Sequence, residues 1–210
     1  DEAGRSCGGT DPSFHQLSRR CHEGLSGVAW CMTSTGGHAR CLLGGTFDRL
    51  HDGHKDLLRA GLEAAAHLEV HITTDQMALA KDHRIQPVED RMAAVEDALR
   101  SIRETGWSLH MLEDAFGPAP RHPTADALVV SPDTRTGGEA INRKRAEGGF
   151  EPLVLIEVQH RTNDEGTILS STAIRNGHMD TTGEAWIASE WREHDMAMSS
   201  AAEAHLKTPS

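Results

Sequence analysis

Lysine is scarce in this sequence, and a long apolar stretch is missing. Only 4 of the 21 basic residues in 210 are lysines, against 32 acidic residues, which gives a net charge of −11. General binders of nucleic acids or membrane surfaces need a basic field, so this balance argues against both. No run of about 18 apolar residues and no charged segment followed by an apolar one is present, as a membrane span or a signal peptide would require. We expect a cytoplasmic protein without a nucleic-acid or membrane partner.

Cysteine is also scarce, and all of it lies early in the chain. The four cysteines are Cys7, Cys21, Cys31 and Cys41, and no two of them form a C-x-x-C pair. Free thiols in a reducing compartment are therefore expected in preference to a disulfide or a zinc site.

Composition divides the chain into three parts. Residues 1–38 are rich in Gly, Ser, Thr and Cys without any periodic apolar pattern, so we expect a disordered or non-native leader. Met32 stands just before the first convincing strand, and we expect the functional protein to begin there. Residues 39–182 have the regular pattern of one domain, and residues 183–210 are predicted to form a terminal helix and a polar tail.

Strand patterns alternate with helical patterns through the middle part. The predicted strands are 39–45, 68–74, 107–114, 126–131 and 152–159, and the predicted helices are 52–68, 87–102, 137–147 and 170–177. This alternation predicts an α/β fold: a Rossmann-like, doubly wound parallel sheet of five strands with helices on both faces.

The unusual polar segments fall directly after the predicted strands. They are "GGTFDRLHDGH", "TTDQMALAKDHR", "SPDT" and "GTILSSTAIR". In an open parallel sheet, ligands bind beyond the carboxyl ends of the strands, where the strand order reverses. The four segments therefore predict one shared crevice.

The first of these segments has groups suited to a phosphate. Gly44 and Gly45 allow backbone N–H groups to approach an anion, and Thr46 adds a hydroxyl. His51 and His54 lie at a predicted helix N-terminus, where the helix dipole favours negative charge. The phosphate-binding G-x-x-x-x-G-K-[ST] pattern and the dinucleotide-binding G-x-G-x-x-G pattern are both missing.

The histidine pair has three possible interpretations from its spacing. A zinc site needs three or four ligands, and no nearby cysteine or H-E-x-x-H supplies them. A core histidine is the usual interpretation of an isolated one, but two around a glycine at a strand-to-helix junction fit it poorly. Anion binding is favoured, and the other two interpretations remain open at this point.

Two signatures in the sequence resemble those of a known enzyme family. "GGTFDRLHDGH" is similar to the first signature of the H-x-G-H nucleotidyltransferases, and "LSSTAIR" to their second. Together with "LVVSPDT" and "INRKR" in between, they most resemble the archaeal and eukaryotic type of phosphopantetheine adenylyltransferase over residues 39–182. Leu169 departs from the isoleucine that the family often has.

The resemblance implies a reaction and a cofactor. ATP and 4′-phosphopantetheine would give dephospho-coenzyme A and pyrophosphate by direct in-line attack on the α-phosphorus. Magnesium would come with the ATP, held mainly by phosphates and water. Two polyanions must meet on an acidic protein, so the crevice is expected to be locally basic.

The resemblance also implies roles for single residues. The catalytic set is His54, as the main stabiliser of transition-state charge, with His51, Lys81 and Arg91; the last two would hold the acceptor phosphate and the reacting oxygens. The expected ATP- and phosphate-binding set is Gly44, Gly45, Thr46, Phe47, Ser131, Asp133, Ser170, Ser171, Thr172 and Arg175. Asp48 is predicted to be a turn residue without a role in the site.

The first signature is also compatible with two functions other than phosphopantetheine adenylyl transfer. One is another nucleotidyltransferase of the same superfamily, such as a cytidylyltransferase for an alcohol phosphate or an adenylyltransferase for a flavin or nicotinamide mononucleotide. A different class is a catalytically silent nucleotide-binding module, which would bind ATP and release no pyrophosphate.

Overall fold

The computed structural model describes residues 37–185. The predicted leader, the expected start at Met32 and the predicted terminal helix lie wholly or almost wholly outside the described residues. The strands are β1 (His38–Gly45), β2 (Ala65–Thr73), β3 (Trp107–Leu112), β4 (Ala127–Val130) and β5 (Val154–Glu157). The helices are α1 (Asp52–Ala64), α2 (Asp75–Leu79), α3 (Val88–Ile102), α4 (Arg135–Glu147) and α5 (Ser171–Arg175), with a 3-10 turn at Ala119–Arg121.

The five strands form one parallel sheet in the order β3-β2-β1-β4-β5. The chain builds outward from β1 to β3, then crosses back to place β4 on the other side of β1. Strand order therefore reverses between β1 and β4, which is where an open parallel sheet binds its ligands. The predicted fold class is confirmed, because all five strands are present and parallel.

The first face of the sheet is covered by α1 and α3. Leu58 and Leu62 of α1 and Val95 and Leu99 of α3 are buried against the apolar side chains of β1 and β2. In β2 every second residue faces this core, which is the period expected of a strand. No helix within residues 37–185 has the length and apolar character to cross a membrane.

The second face is covered over β1 and β4 by α4 and the 3-10 turn. Leu42, Leu128 and Val130 pack there with Ala119 and Ile141. Where the same face continues over β2, it carries polar side chains: His67, Glu69 and His71 alternate with the core residues of the first face. The sheet therefore has apolar residues on both faces at β1 and β4, but on one face only at β2.

Two differences from the predicted elements have local causes. The first helix was predicted to run to residue 68, but it ends at Ala64, and Ala65 is already extended with φ −132° and ψ 154°. The alanine run there carries no stop signal of its own, and pairing with β1 draws these residues into the sheet. The helix α2 was not predicted, because five residues are too short to show a helical period.

Candidate active site

The loop after β1 makes a tight turn in which two non-glycine residues have positive φ. Phe47 has φ 54° and Arg49 has φ 47°, in the left-handed region that side chains other than glycine rarely adopt. The Phe47 ring is 1 % exposed and sits in the first-face core, so its side chain shapes the loop and does not present itself to a ligand. A Cβ on Gly45 would lie 2.9 Å from the Phe47 Cε2 atom, so this position has room only for glycine.

The two histidines of the loop form a stacked pair at the start of α1. Their ring centroids are 3.8 Å apart with an interplanar angle of 22°. His51 is the N-cap residue of α1, one turn before His54. A Cβ on Gly53 would lie 3.2 Å from the Cε1 and Nδ1 atoms of His51. Because Gly53 has no Cβ, the His51 ring can occupy this space.

Both imidazoles are uncharged at neutral pH. Burial lowers the pKa of His51 to about 4, against a partial opposing effect of nearby carboxylates. Burial lowers the pKa of His54 to about 3, and the neighbouring His51 adds to the shift. The buried Nδ1 atom of each ring has no hydrogen-bond partner in the described part of the chain. Most buried polar atoms in proteins have a hydrogen-bond partner, so these two nitrogens are candidates for an interaction with a bound group.

Arg91, near the start of α3, lies beneath the loop and is fully buried. Its guanidinium donates to the backbone oxygens of Thr46 (2.9 Å), Thr73 (2.8 Å) and Gln86 (2.8 Å). It also donates to the Asp75 carboxylate at 2.7 Å. These acceptors come from the ends of β1 and β2 and from the segment before α3. The guanidinium thus joins three segments of the crevice from below, and its contact with a substrate phosphate stays a prediction.

Asp48 is the residue that sequence reasoning missed. It is 1 % exposed, and its carboxylate accepts hydrogen bonds from the Arg175 guanidinium and from the backbone N–H of Gln86 (2.9 Å). Its own carbonyl oxygen accepts from the Ser171 hydroxyl at 2.8 Å. The predicted turn residue therefore ties the first signature to the second. The available signal was an Asp in the first signature and an Arg in the second, which can pair only if the two meet in the fold.

The second signature begins a short helix as predicted. The Ser170 side chain caps α5 by accepting from the backbone N–H of Ala173 at 3.2 Å. The Thr172 hydroxyl accepts from the Arg175 guanidinium at 3.0 Å. The carbonyl oxygen of the buried Leu169 is 3.9 Å from the place of a Cβ on Gly53, so this segment lies against the start of α1.

Lys81 lies on the exposed turn after α2. Its side chain has no hydrogen bond or ion pair with any other residue between 37 and 185. The basic residues predicted for the crevice therefore differ in whether a carboxylate neutralises their charge. Arg91 is paired with Asp75, and Arg175 with Asp48 and Asp82, so Lys81 is the cation of the predicted set without a carboxylate partner in the described chain.

Ser131 and Asp133 stand apart from this cluster, at the carboxyl end of β4. The backbone N–H of Ser131 donates to the Thr134 hydroxyl at 2.8 Å, which fixes the turn into α4. The Asp133 side chain is 82 % exposed and lies 3.2 Å from the Nε2 atom of His160. They lie on the other side of the strand-order reversal from His51 and His54, as a ligand spanning the crevice would require.

The fold and the loop together define a class of protein. The sequence profile of the cytidylyltransferase-like family matches residues 42–177, a span that holds both signatures. The parallel sheet, the stacked histidines at the start of α1 and the capped helix beside them all fall within that span. This chain is a member of the cytidylyltransferase-like family.

Curated relatives narrow the family further. The phosphopantetheine adenylyltransferase of Methanothermobacter thermautotrophicus is 34% identical over 141 residues, covering 67% of this chain and 85% of that protein. The phosphopantetheine adenylyltransferase of Methanosarcina acetivorans is 35% identical over 146 residues, covering 68% and 92%. Within the cytidylyltransferase-like proteins, the chain belongs to the phosphopantetheine adenylyltransferases.

A solved structure supports the fold alone. A protein of unknown function from Archaeoglobus fulgidus is similar with a TM-score of 0.53 and 24% sequence identity, covering 69% of this chain and 98% of that one.

Proposed function

We propose that this chain transfers the adenylyl group of ATP to 4′-phosphopantetheine, giving dephospho-coenzyme A and pyrophosphate. The observation that carries the proposal is the contact between the two signatures: Ser171 donates to the Asp48 carbonyl oxygen, and Arg175 pairs with the Asp48 carboxylate. This contact sets the capped start of α5 beside the stacked histidines of α1. Backbone N–H groups at the start of a helix bind phosphate oxygens, so this arrangement supports a site that takes a triphosphate and a second phosphate.

The proposed chemistry is positioning and charge stabilisation. The acceptor phosphate attacks the α-phosphorus of ATP in line, and pyrophosphate leaves without a covalent enzyme intermediate. His54 donates an N–H to the oxygens that gain charge in the transition state, and His51 supports it from the stacked position. Because both rings are neutral before substrate binds, they act first as hydrogen-bond donors and not as cations.

The remaining roles follow the position of each residue. Thr46 and the backbone of Gly44 and Gly45 contact phosphate at the end of β1. Lys81 holds the acceptor phosphate, for which its unpaired ammonium group is suited. The phosphate-binding residues at α5 are Ser170, Ser171, Thr172 and Arg175, and the adenosine-binding residues at β4 are Ser131 and Asp133.

Magnesium fits this site as a companion of ATP. The crevice carboxylates are engaged: Asp48 by Arg175 and the Gln86 N–H, and Asp52 by Lys55 and Arg161. Magnesium would therefore be held by phosphates and water, as is usual for this ion, and would neutralise phosphate charge. We also propose a cytoplasmic location, in keeping with the free thiols expected from the cysteine spacing.

The test is a pyrophosphate-release assay on the purified chain. ATP and CTP are each offered with 4′-phosphopantetheine, an alcohol phosphate, flavin mononucleotide and nicotinamide mononucleotide. We expect turnover with ATP and 4′-phosphopantetheine. Preference for CTP or for another acceptor would reassign the substrate within the superfamily. ATP binding without pyrophosphate release from any pair would identify a silent nucleotide-binding module.

A further inference from the structure

The loop at residues 80–87, which carries Lys81, is tied to the rest of the crevice mainly at its C-terminal end. There Ile85 is 8 % exposed, and Gln86 donates its backbone N–H to Asp48 and accepts from the Arg49 N–H and the Arg91 guanidinium. At the N-terminal end, the backbone N–H groups of Lys81 and Asp82 donate to the Ala78 carbonyl oxygen of α2, at 2.9 and 3.3 Å. These two bonds are local to the turn, so they do not tie Lys81 to α5 or to the first signature.

The neighbouring Asp82 gathers four hydrogen bonds on one carboxylate. Its Oδ1 atom accepts from the backbone N–H of Arg84 at 2.9 Å and from the Arg84 Nε at 3.1 Å. Its Oδ2 atom accepts from the Arg84 Nη2 at 2.8 Å and from the Arg175 Nε at 3.2 Å. The hydrogen bonds from Arg84 hold the pKa of the Asp82 carboxyl below its usual range, so it is ionised at neutral pH.

Arg175, which binds Asp82 from the side of α5, is itself held in place by other contacts. The Arg175 side chain is 8 % exposed, and its two terminal nitrogens are bound to Asp48 and to the Thr172 hydroxyl. Its Nε is the donor left for Asp82. Arg84 adds a second link to the same helix end, donating to the Asn176 side-chain oxygen at 3.1 Å.

We infer that Asp82 is a positioning residue that clamps the loop at residues 80–87 onto α5 and thereby fixes Lys81 for the reaction. This inference rests on the proposed function, and Asp82 acts through Lys81 without touching substrate. Adjacent Cα atoms are about 3.8 Å apart, so holding the Asp82 side chain restricts the Lys81 backbone directly. The clamp also links Lys81 to the second signature, so the acceptor side and the triphosphate side share one rigid frame.

The clamp is separable from folding. Ile85 and the Gln86 contact with Asp48 remain when the Asp82 carboxylate is removed, and neither depends on Arg84. Asp82→Asn keeps the shape of the side chain but replaces one carboxylate oxygen by an amide, which cannot accept from an arginine. The matched control is Asp97→Asn, the same change on the exposed face of α3.

The first measurement is amide hydrogen exchange on the full chain without substrate. Asp82→Asn should raise exchange at residues 80–84 at least several-fold, with the core strands unchanged, and Asp97→Asn should change neither. Unchanged protection of the loop in Asp82→Asn would overturn the inference. Loss of folding in that variant would overturn it as well, because the clamp would then be part of the fold itself.

The second measurement is a double-mutant cycle on pyrophosphate release with Lys81→Ala. Alone, Asp82→Asn should lower kcat about 10- to 100-fold, the scale of a small misplacement near the reacting groups, with the KM for ATP within about 3-fold. In the Lys81→Ala background it should change kcat less than about 2-fold, because its effect passes through the missing lysine. Equal losses in the two backgrounds, or no loss in the first, would contradict the inference.

The two proposals fail in different ways. If the wild-type chain turns over no pair of substrates, the proposed function is wrong, while hydrogen exchange still reports whether the clamp exists. If the wild type turns over and the cycle shows independent effects, the function holds and the role of Asp82 is wrong.

Discussion

His54 is packed on two sides and is also the residue to which we assign the main part of the proposed chemistry. Its ring stacks on His51 and tilts against Phe47 at 5.2 Å between centroids, so it has packing neighbours on two sides. Its buried Nδ1 is nevertheless unpartnered within residues 37–185. A histidine selected for packing would have its nitrogens satisfied, and this one keeps a polar atom without a partner in the crevice.

We therefore expect His54→Ala to damage catalysis far more than folding. A donor aimed at charge that develops in the transition state contributes about 10²–10³ in kcat. The free energy of unfolding should change by about 1 kcal/mol, since only part of the ring is buried. ATP affinity should fall less than kcat, because the ground-state phosphates keep the backbone of Gly44 and Gly45 and the start of α5. His51→Ala should act in the same direction.

The measurements are kcat, ATP binding by calorimetry and thermal unfolding of the purified variant. An early unfolding transition combined with normal turnover of the folded fraction would make His54 a structural residue. The matched control is His178→Ala, because that residue is exposed and lies outside both the stacked pair and the loop at residues 80–87.

Among the elements, α3 has the clearest division between a structural and a solvent-facing arginine. Arg91 in its first turn is buried and joins the ends of β1 and β2, whereas Arg100 in its last turn is 63 % exposed and pairs with Glu96. The sequence shows two arginines on one amphipathic helix. Only their orientation relative to the sheet separates them.

We expect Arg91→Lys to lower the free energy of unfolding by about 3 kcal/mol, because one ammonium group cannot satisfy three backbone oxygens and a carboxylate at once. Arg100→Lys should change it by less than about 0.5 kcal/mol, as an exposed helix pair does. Denaturant unfolding of both variants gives the comparison. If Arg91→Lys is as stable as the wild type but has a raised KM for the acceptor, the substrate contact predicted from the sequence would be supported instead of the structural role.

At the scale of the whole molecule, buried neutral histidines make the fold sensitive to mild acid. Burial lowers the pKa of His51 and His54 to about 4 and about 3. It also lowers the pKa of His71 on the polar face of β2, although the Glu69 carboxylate, 3.6 Å from the His71 Nε2 atom, partly opposes that shift. Several carboxyls, among them Asp114 and Asp180, have lowered pKa values through hydrogen bonds and act at lower pH.

The expected result is a loss of stability that begins near pH 6.5. Below that pH the unfolded chain protonates His51, His54 and His71, whereas the folded protein keeps them neutral until their lowered pKa values are reached. The unfolded state then binds more protons and is favoured. Each such histidine contributes up to about 1.4 kcal/mol per pH unit until its folded pKa is reached. Carboxyl groups with lowered pKa values also make the folded protein less stable as the pH falls, but their effect starts only around pH 4.5.

Denaturant unfolding between pH 8 and pH 5 measures this slope. The double variant His51→Gln, His54→Gln should flatten it, while His83→Gln, at a 90 % exposed position, should leave it as in the wild type. A slope equal in all three proteins would show that the stacked pair takes up protons as readily folded as unfolded.

The sequence by itself predicted the five strands and four of the five α-helices from alternating apolar strands and amphipathic helices. The two signatures gave His51, His54, Ser170 and Arg175 as predicted site residues. These features are local, since periodicity and capping depend on neighbours along the chain. The tertiary structure alone decided which cations are neutralised and which residue joins the signatures. Asp48 was predicted to be a turn residue, and the sequence did not reveal the burial and pairing of Asp48 or Arg91. Burial and pairing arise between segments that are far apart in sequence and meet only when the sheet forms.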